Sequence, residues 1–272
     1  MMGREFSREI EVRRDIPYGA GLSLDVYQSF VPTGVGVVYL HGGGWRRGDR
    51  TDHADSRLVP LARSGITVIS ASYRFSDRAV WPAQRHDAAE ALRWAVAHSA
   101  ELGIDPARLG IWGSSAGGFL ATALAVGSGR IPADEDEPLP PVRAGVAFFA
   151  PSDLSALASD PREDDAALPD FLIGRTPDSV APEVALVGSA DPNALLAASP
   201  VGHVTPESAP MLMVHGSRDP VVPLAQPRRM AAALEKAGVH HQLIVIEGAT
   251  HEDAAFASDA VLGAVAGWLS AT

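Results

Sequence analysis

From residue 35 onward, short apolar runs alternate with longer stretches whose apolar residues recur every three or four positions. The runs are VGVVYL (35–40), ITVISASY (66–73), RLGIWG (108–113), RAGVAFFA (143–150), PMLMVHG (210–216) and HQLIVIEG (241–248). Near-continuous apolarity over this length predicts parallel strands buried on both faces. Between them, Ala88, Ala91, Leu92, Ala95 and Val96 follow Pro82 at helical spacing. Met230, Ala233, Leu234 and Ala237 do the same before Gly238, and Phe256 to Leu269 predicts a C-terminal helix. Strand and helix in alternation predict a doubly wound parallel sheet. Two earlier segments, SREIEVRRD (7–15) and LSLDVYQ (22–28), alternate apolar and polar residues. They predict an antiparallel pair at one sheet edge, half exposed.

Two stretches break the alternation. SGRIPADEDEPLPP (128–141) is acidic and proline-rich and reads as a solvated loop. Residues 152 to about 200 are rich in Asp, Pro and Ala and read as a short helical insertion. That insertion either walls a pocket or is a surface excursion without a role. No linker separates it, so the expectation is one domain over 1–272 with about eight strands.

The 272 residues, 46% hydrophobic, suffice for one sizeable core, and the net charge of −11 argues against a nucleic-acid partner. No cysteine is present, which removes disulfides, thiolate zinc sites and cysteine nucleophiles. No apolar h-region opens the chain and no run approaches a membrane span, so a cytoplasmic protein without a membrane partner is expected. No histidine–carboxylate spacing suggests a metal, and no cofactor is expected. The oligomeric state stays open, a homo-oligomer included.

In an open parallel sheet, ligands sit at the carboxyl ends of the strands. The residues just past those ends are HGGGW (41–45), GSSAGG (113–118), SRD (217–219) and ATHED (249–253). Gly113-Ser114-Ser115-Ala116-Gly117 has the form G-x-S-x-G, in which a sharp strand-to-helix turn presents the central serine, Ser115, at a helix N-terminus. Three glycines after a buried strand let backbone approach a developing oxyanion, so the amides of Gly43, Gly44 and Ala116 are candidates for an oxyanion hole. Asp219 and His251 complete the chain order Ser, Asp, His of a hydrolase triad. Asp219 could also be a helix N-cap, and Asp153 is a rival acid. His41 reads as a brace for the glycine loop and His215 as support for the turn before Asp219. Trp45 reads as a pocket wall or a core aromatic. Glu252 and Asp253 either raise the basicity of His251 or face water. His53, His86, His98, His240 and His241 read as surface or packing residues, and Asp87 as a structural hydrogen-bonder.

YLHGGGW, ASYRF, WPAQRHDAAEALRW, LGIDPARLGIWGSSAGGFLA, ASPVGHV, MLMVHGSRDPVVP and EGATHED together resemble the α/β-hydrolase serine esterases, near the hormone-sensitive-lipase-like branch and the bacterial acetyl and feruloyl (BD-FAE-like) esterases. The likeness runs over residues 22 to 270. It implies a serine carboxylesterase with Ser115 as nucleophile, Asp219 as acid and His251 as base, and a small-molecule ester as substrate. A shorter N-terminal stretch than the lipase-like branch usually carries implies a more open pocket, suited to short-chain or aromatic esters. Amide hydrolysis by the same triad, as in an aryl-formamidase or a small serine peptidase, is the alternative. A silent binder on a hydrolase scaffold is a third reading.

Overall fold

The structure, a computed structural model, describes residues 10–127, 141–162 and 180–272. Eight strands form one sheet: β1 (Ile10–Gly19), β2 (Leu22–Ser29), β3 (Gly34–Leu40), β4 (Thr67–Ala71), β5 (Ile104–Ser114), β6 (Gly145–Phe148), β7 (Met211–Gly216) and β8 (His241–Ile246). Their spatial order is β1-β2-β4-β3-β5-β6-β7-β8. The β1–β2 and β2–β4 pairs are antiparallel; every later pair is parallel.

Side chains alternate across the sheet, and each face has its own core. Val38, Leu40, Ile69 and Ile111 pack with α2 (Ala83–Ala97), α4 (Ala116–Val126) and α7 (Ala225–Lys236) on one face. Val37, Tyr39, Val68 and Trp112 pack with α1 (Val59–Arg63) and α8 (Asp259–Ala271) on the other. Here α3 is Ser99–Leu102, α5 is Pro182–Val187 and α6 is Pro192–Ala198. Every residue of α4 is buried, so this helix is the hub of its layer.

The expected strands and the mostly parallel sheet are present. The edge differs from the sequence reading in one respect. Within the β1–β2 pair only β1 is half exposed; β2 lies second in the order, between β1 and β4, with its central residues Leu24 to Tyr27 buried. Its alternating pattern therefore does not mark an exposed face, because buried Asp25 is neutralised by Arg14 and Arg50. At the opposite edge, β8, expected to be buried on both faces, has no buried residue, because no further strand among the described residues pairs with it. A π-type turn at Ala54–Leu58 leads into α1, a helical stretch that the hydrophobic pattern did not signal. The helix that Asp219 could have capped begins later, at Ala225.

Residues 1–9 and most of the acidic stretch, 128–140, lie outside the described residues, as do 163–179 of the expected insertion. The described parts of that insertion are turns around 153–160, α5, α6 and a 3₁₀ turn at Pro200–His203. Among the described residues no helix is long and apolar enough to cross a membrane.

Candidate active site

Register brings the chemistry-bearing loops to one rim. Leu40 pairs with both Ala71 and Gly113, Ser114 with Phe148, Phe148 with Val214, and Gly216 with Ile246. The segments leaving β3, β5, β6, β7 and β8 therefore emerge side by side.

At the end of β5, Ser115 has φ 52 and ψ −117, a strained conformation for a residue with a Cβ. The turn closes only because its flanks lack side chains. A Cβ on Gly113 would stand 2.2 Å from the Gly117 carbonyl oxygen, and one on Gly117 would stand 2.0 Å from that of Leu40. The strained residue is tied down by its own amide, which donates to Phe148 O at 2.9 Å. Its side chain faces His251, whose Nε2 lies 3.0 Å from Ser115 Oγ. On the other side of the ring, His251 Nδ1 is 2.7 Å from Asp219 Oδ2.

Asp219 is buried, yet its charge is well solvated by protein. Oδ1 accepts the amides of Val221 and Val222, each at 2.8 Å. The carboxylate thus organises its own turn rather than capping α7. His215 stands behind it, 3.5 Å from Oδ2, and its Nε2 donates to Val222 O at 2.7 Å. Burial pushes the His215 imidazole below the ordinary histidine range, which keeps it neutral there. Asp153, the rival acid, is engaged elsewhere. It accepts from Ser155 N at 3.1 Å and Ser155 Oγ at 2.6 Å, and it faces Arg229.

The glycine loop after β3 is shaped by close approach. Gly43 has φ 112, and a Cβ there would meet Arg47 O at 2.0 Å. His41 braces the loop: its Nδ1 donates to Gly42 O at 2.7 Å, its ring stacks on Tyr73, and Tyr73 Oη donates to His41 O at 2.9 Å. Burial pushes this imidazole down as well. Trp45 fills both roles the sequence left open. It is buried against Phe119, donates from Nε1 to Ala116 O at 3.0 Å, and lines the cavity above Ser115.

That cavity measures about 280 Å³, and Gly43, Gly44, Ser115, Ala116 and His251 all line it. Leu157, Ala181 and Pro182 bring the described ends of the 152–200 stretch to its wall. One group at this rim, Phe149, had no role readable in sequence, and Glu252 and Asp253 take partners that the sequence did not name. Phe149, at φ 37, lies edge-on to the His251 ring with centroids 4.7 Å apart. Glu252, at φ 56, lines the cavity and pairs with His53 at 3.6 Å. The neighbouring His53, with smaller help from His251 and Arg57, holds its half-exposed carboxyl below the ordinary range. Asp253 instead caps the 3₁₀ turn at Ala254–Ala257 through Ala255 N. Among the described residues no cluster of three metal-ligating side chains occurs.

Residues 24–234 match the BD-FAE family. The chain belongs to that family. This BD-FAE chain is 34% identical to the ethyl acetate hydrolase of Pseudomonas putida over 223 residues, covering 80% of this chain and 66% of that protein. It spans between 48% and 66% of the length of three curated relatives that it matches, the other two from Mycobacterium tuberculosis. Among solved structures, a truncated carbohydrate esterase from gut microbiota superposes with a TM-score of 0.81 over 99% of both chains at 24% identity, a likeness of fold. Propionate-bound esterase 2 of Thermogutta terrifontis superposes with a TM-score of 0.71 at 26% identity, over 99% of this chain and 96% of that one.

Proposed function

We propose that the protein is a serine carboxylesterase acting on short-chain or aromatic carboxylic esters through an acyl-enzyme. The observation that carries this reading is the continuous hydrogen-bonded line from Ser115 Oγ through the His251 ring to Asp219, opening on a cavity of about 280 Å³. Ser115 Oγ attacks the ester carbonyl carbon while its proton passes to His251 Nε2. Asp219 holds the imidazole in the tautomer with Nδ1 protonated and stabilises its cationic form. The carbonyl oxygen, now negative, lies toward the amides of Gly43, Gly44 and Ala116, the last at the N-terminus of α4, whose dipole favours negative charge. His251 returns the proton to the alcohol oxygen as the C–O bond breaks. Water then attacks the acyl carbonyl carbon, its proton going to His251, and the imidazolium passes that proton to Ser115 Oγ as the acyl–Oγ bond breaks, releasing the carboxylic acid and free Ser115.

The small cavity, with Trp45 as one wall, suits a short acyl chain. The names of an ethyl acetate hydrolase and a propionate-bound esterase among its likenesses support that class. Nothing in the geometry favours an amide over an ester.

The test is covalent labelling with a fluorophosphonate, read by mass spectrometry, together with p-nitrophenyl acetate turnover. Wild type is expected to carry the label on Ser115, and Ser115→Ala to lose the label and at least about 10³-fold in kcat. Undiminished turnover in the alanine variant would overturn the assignment.

A further inference from the structure

Behind the Ser115 turn lies a charge that the proposed mechanism does not use. Arg57, on the π-type turn before α1, is only 2% exposed. Among the described residues, no carboxylate comes within ion-pair distance of it, the Glu252 carboxylate feeling its charge only from farther off, and its Nε has no hydrogen-bond partner. Its Nη1 donates to Ser114 Oγ at 3.3 Å, and Tyr39 Oη donates to the same hydroxyl at 3.2 Å. The guanidinium lies over the rings of Phe148 and Phe149, 5.8 and 5.6 Å from their centroids, and Phe149 in turn packs on His251. Arg57 is therefore one layer behind both Ser115 and His251.

A buried cation with so few partners is costly, and a methionine or leucine would fill the same space without that cost. Retaining the charge makes physical sense where a negative charge appears nearby during the reaction. Water is excluded between Arg57 and the turn, since Ser114, Tyr39 and both phenylalanines are fully buried, so little screening intervenes. We propose that Arg57 is a positioning residue of the ester hydrolysis, its fixed positive charge favouring the anionic tetrahedral intermediate on Ser115 over the neutral bound ester. This rests on the serine esterase reading. The benefit is specific to the transition state, so it appears in kcat and leaves KM alone.

The experiment compares wild type, Arg57→Met, Arg57→Lys and Ser114→Ala in three measurements. These are kcat and KM for p-nitrophenyl acetate, and the Kd of phenylboronic acid, whose adduct with a serine is a tetrahedral anion. Arg57→Met is expected to lower kcat and weaken the boronate by about tenfold each with KM unchanged, and Arg57→Lys to recover most of both. Ser114→Ala, which removes the anchor but keeps the charge, is expected to stay within about threefold of wild type. Kd and kcat within about twofold of wild type in Arg57→Met, or an equal loss in Ser114→Ala, would overturn the inference. If the methionine variant does not fold, Arg57→Gln takes its place, and equal boronate affinity in the glutamine and lysine variants would overturn it. A wild type that neither takes the fluorophosphonate on Ser115 nor turns over ester defeats the esterase reading; a wild type that does both, beside an unaffected Arg57→Met, defeats the role of Arg57 alone.

Discussion

Two buried aspartates at this edge of the sheet hold cationic or potentially cationic partners, and they are built differently. Asp87, on α2, is clamped by Arg74: the Arg74 amide donates at 2.9 Å, and Nε and Nη2 both reach the carboxylate. The partner is permanently charged, so the pair is complete at rest, and the carboxylate in turn raises the Arg74 pKa. Asp219 has its charge balanced by two backbone amides and meets an imidazole whose far nitrogen opens on Ser115. Its partner can gain a proton. A carboxylate saturated by arginine stabilises a fold; one left waiting for an imidazolium stabilises a step of a reaction.

The sharpest way to break this contrast is to neutralise each acid in turn. Asp219→Asn is expected to lower kcat for p-nitrophenyl acetate by about 10⁴-fold, because the amide no longer enforces the reactive tautomer. Its urea-unfolding midpoint is expected to change less than that of the other variant. Asp87→Asn is expected to do the reverse, losing about 2 kcal/mol of unfolding free energy, discounted for the partial exposure of Arg74, with kcat within about threefold of wild type. Should Asp87→Asn cost more catalysis than stability, the two sites would not be distinct in kind.

A smaller effect sharpens the same point with neutral partners. His41 and His215 are both pushed down by burial, so the native state refuses a proton that the unfolded chain accepts below its ordinary value of about 6.5. Their contribution to stability is complete above that pH and is lost as the pH falls below it. Glu252, also lowered, acts in a more acid window beginning at its ordinary value of 4.5. The melting temperature is expected to fall between pH 7.5 and pH 5, and His215→Asn to show a shallower fall over that interval. An equal slope in the variant would show that His215 is not kept neutral by the fold.

Much of the architecture was legible along the chain because it reports local conformation. The parallel strands announced themselves as apolar runs, and β3 to β7 are buried along most of their length, whereas the edge strand β8 is part exposed although its run is just as apolar. The helices showed their period, with Met230 and Leu234 of α7 turned inward and Gly238 at φ 72 ending that helix. Where the pattern failed, tertiary context had changed its meaning. The polar position Asp25 in β2 suggested solvent, but two arginines brought from outside the strand allow it to be buried. The helical stretch at Ala54–Arg63 gave no clear period, being a π-type turn followed by a short α-helix and carrying the buried Arg57.

By itself, then, the sequence determined the alternating elements, the glycines that permit a tight turn at Ser115, and the small set of side chains able to do acid–base chemistry past the strand ends. Those are properties of backbone sterics and side-chain type within a few residues. Only the tertiary structure decided that Asp219 rather than Asp153 faces His251, that Glu252 takes His53, and that Arg57 lies unpaired behind Ser114. Partners such as Ser115 and His251, 136 residues apart in the chain, meet through the strand order and register, and no local preference encodes which charges that register will bring together.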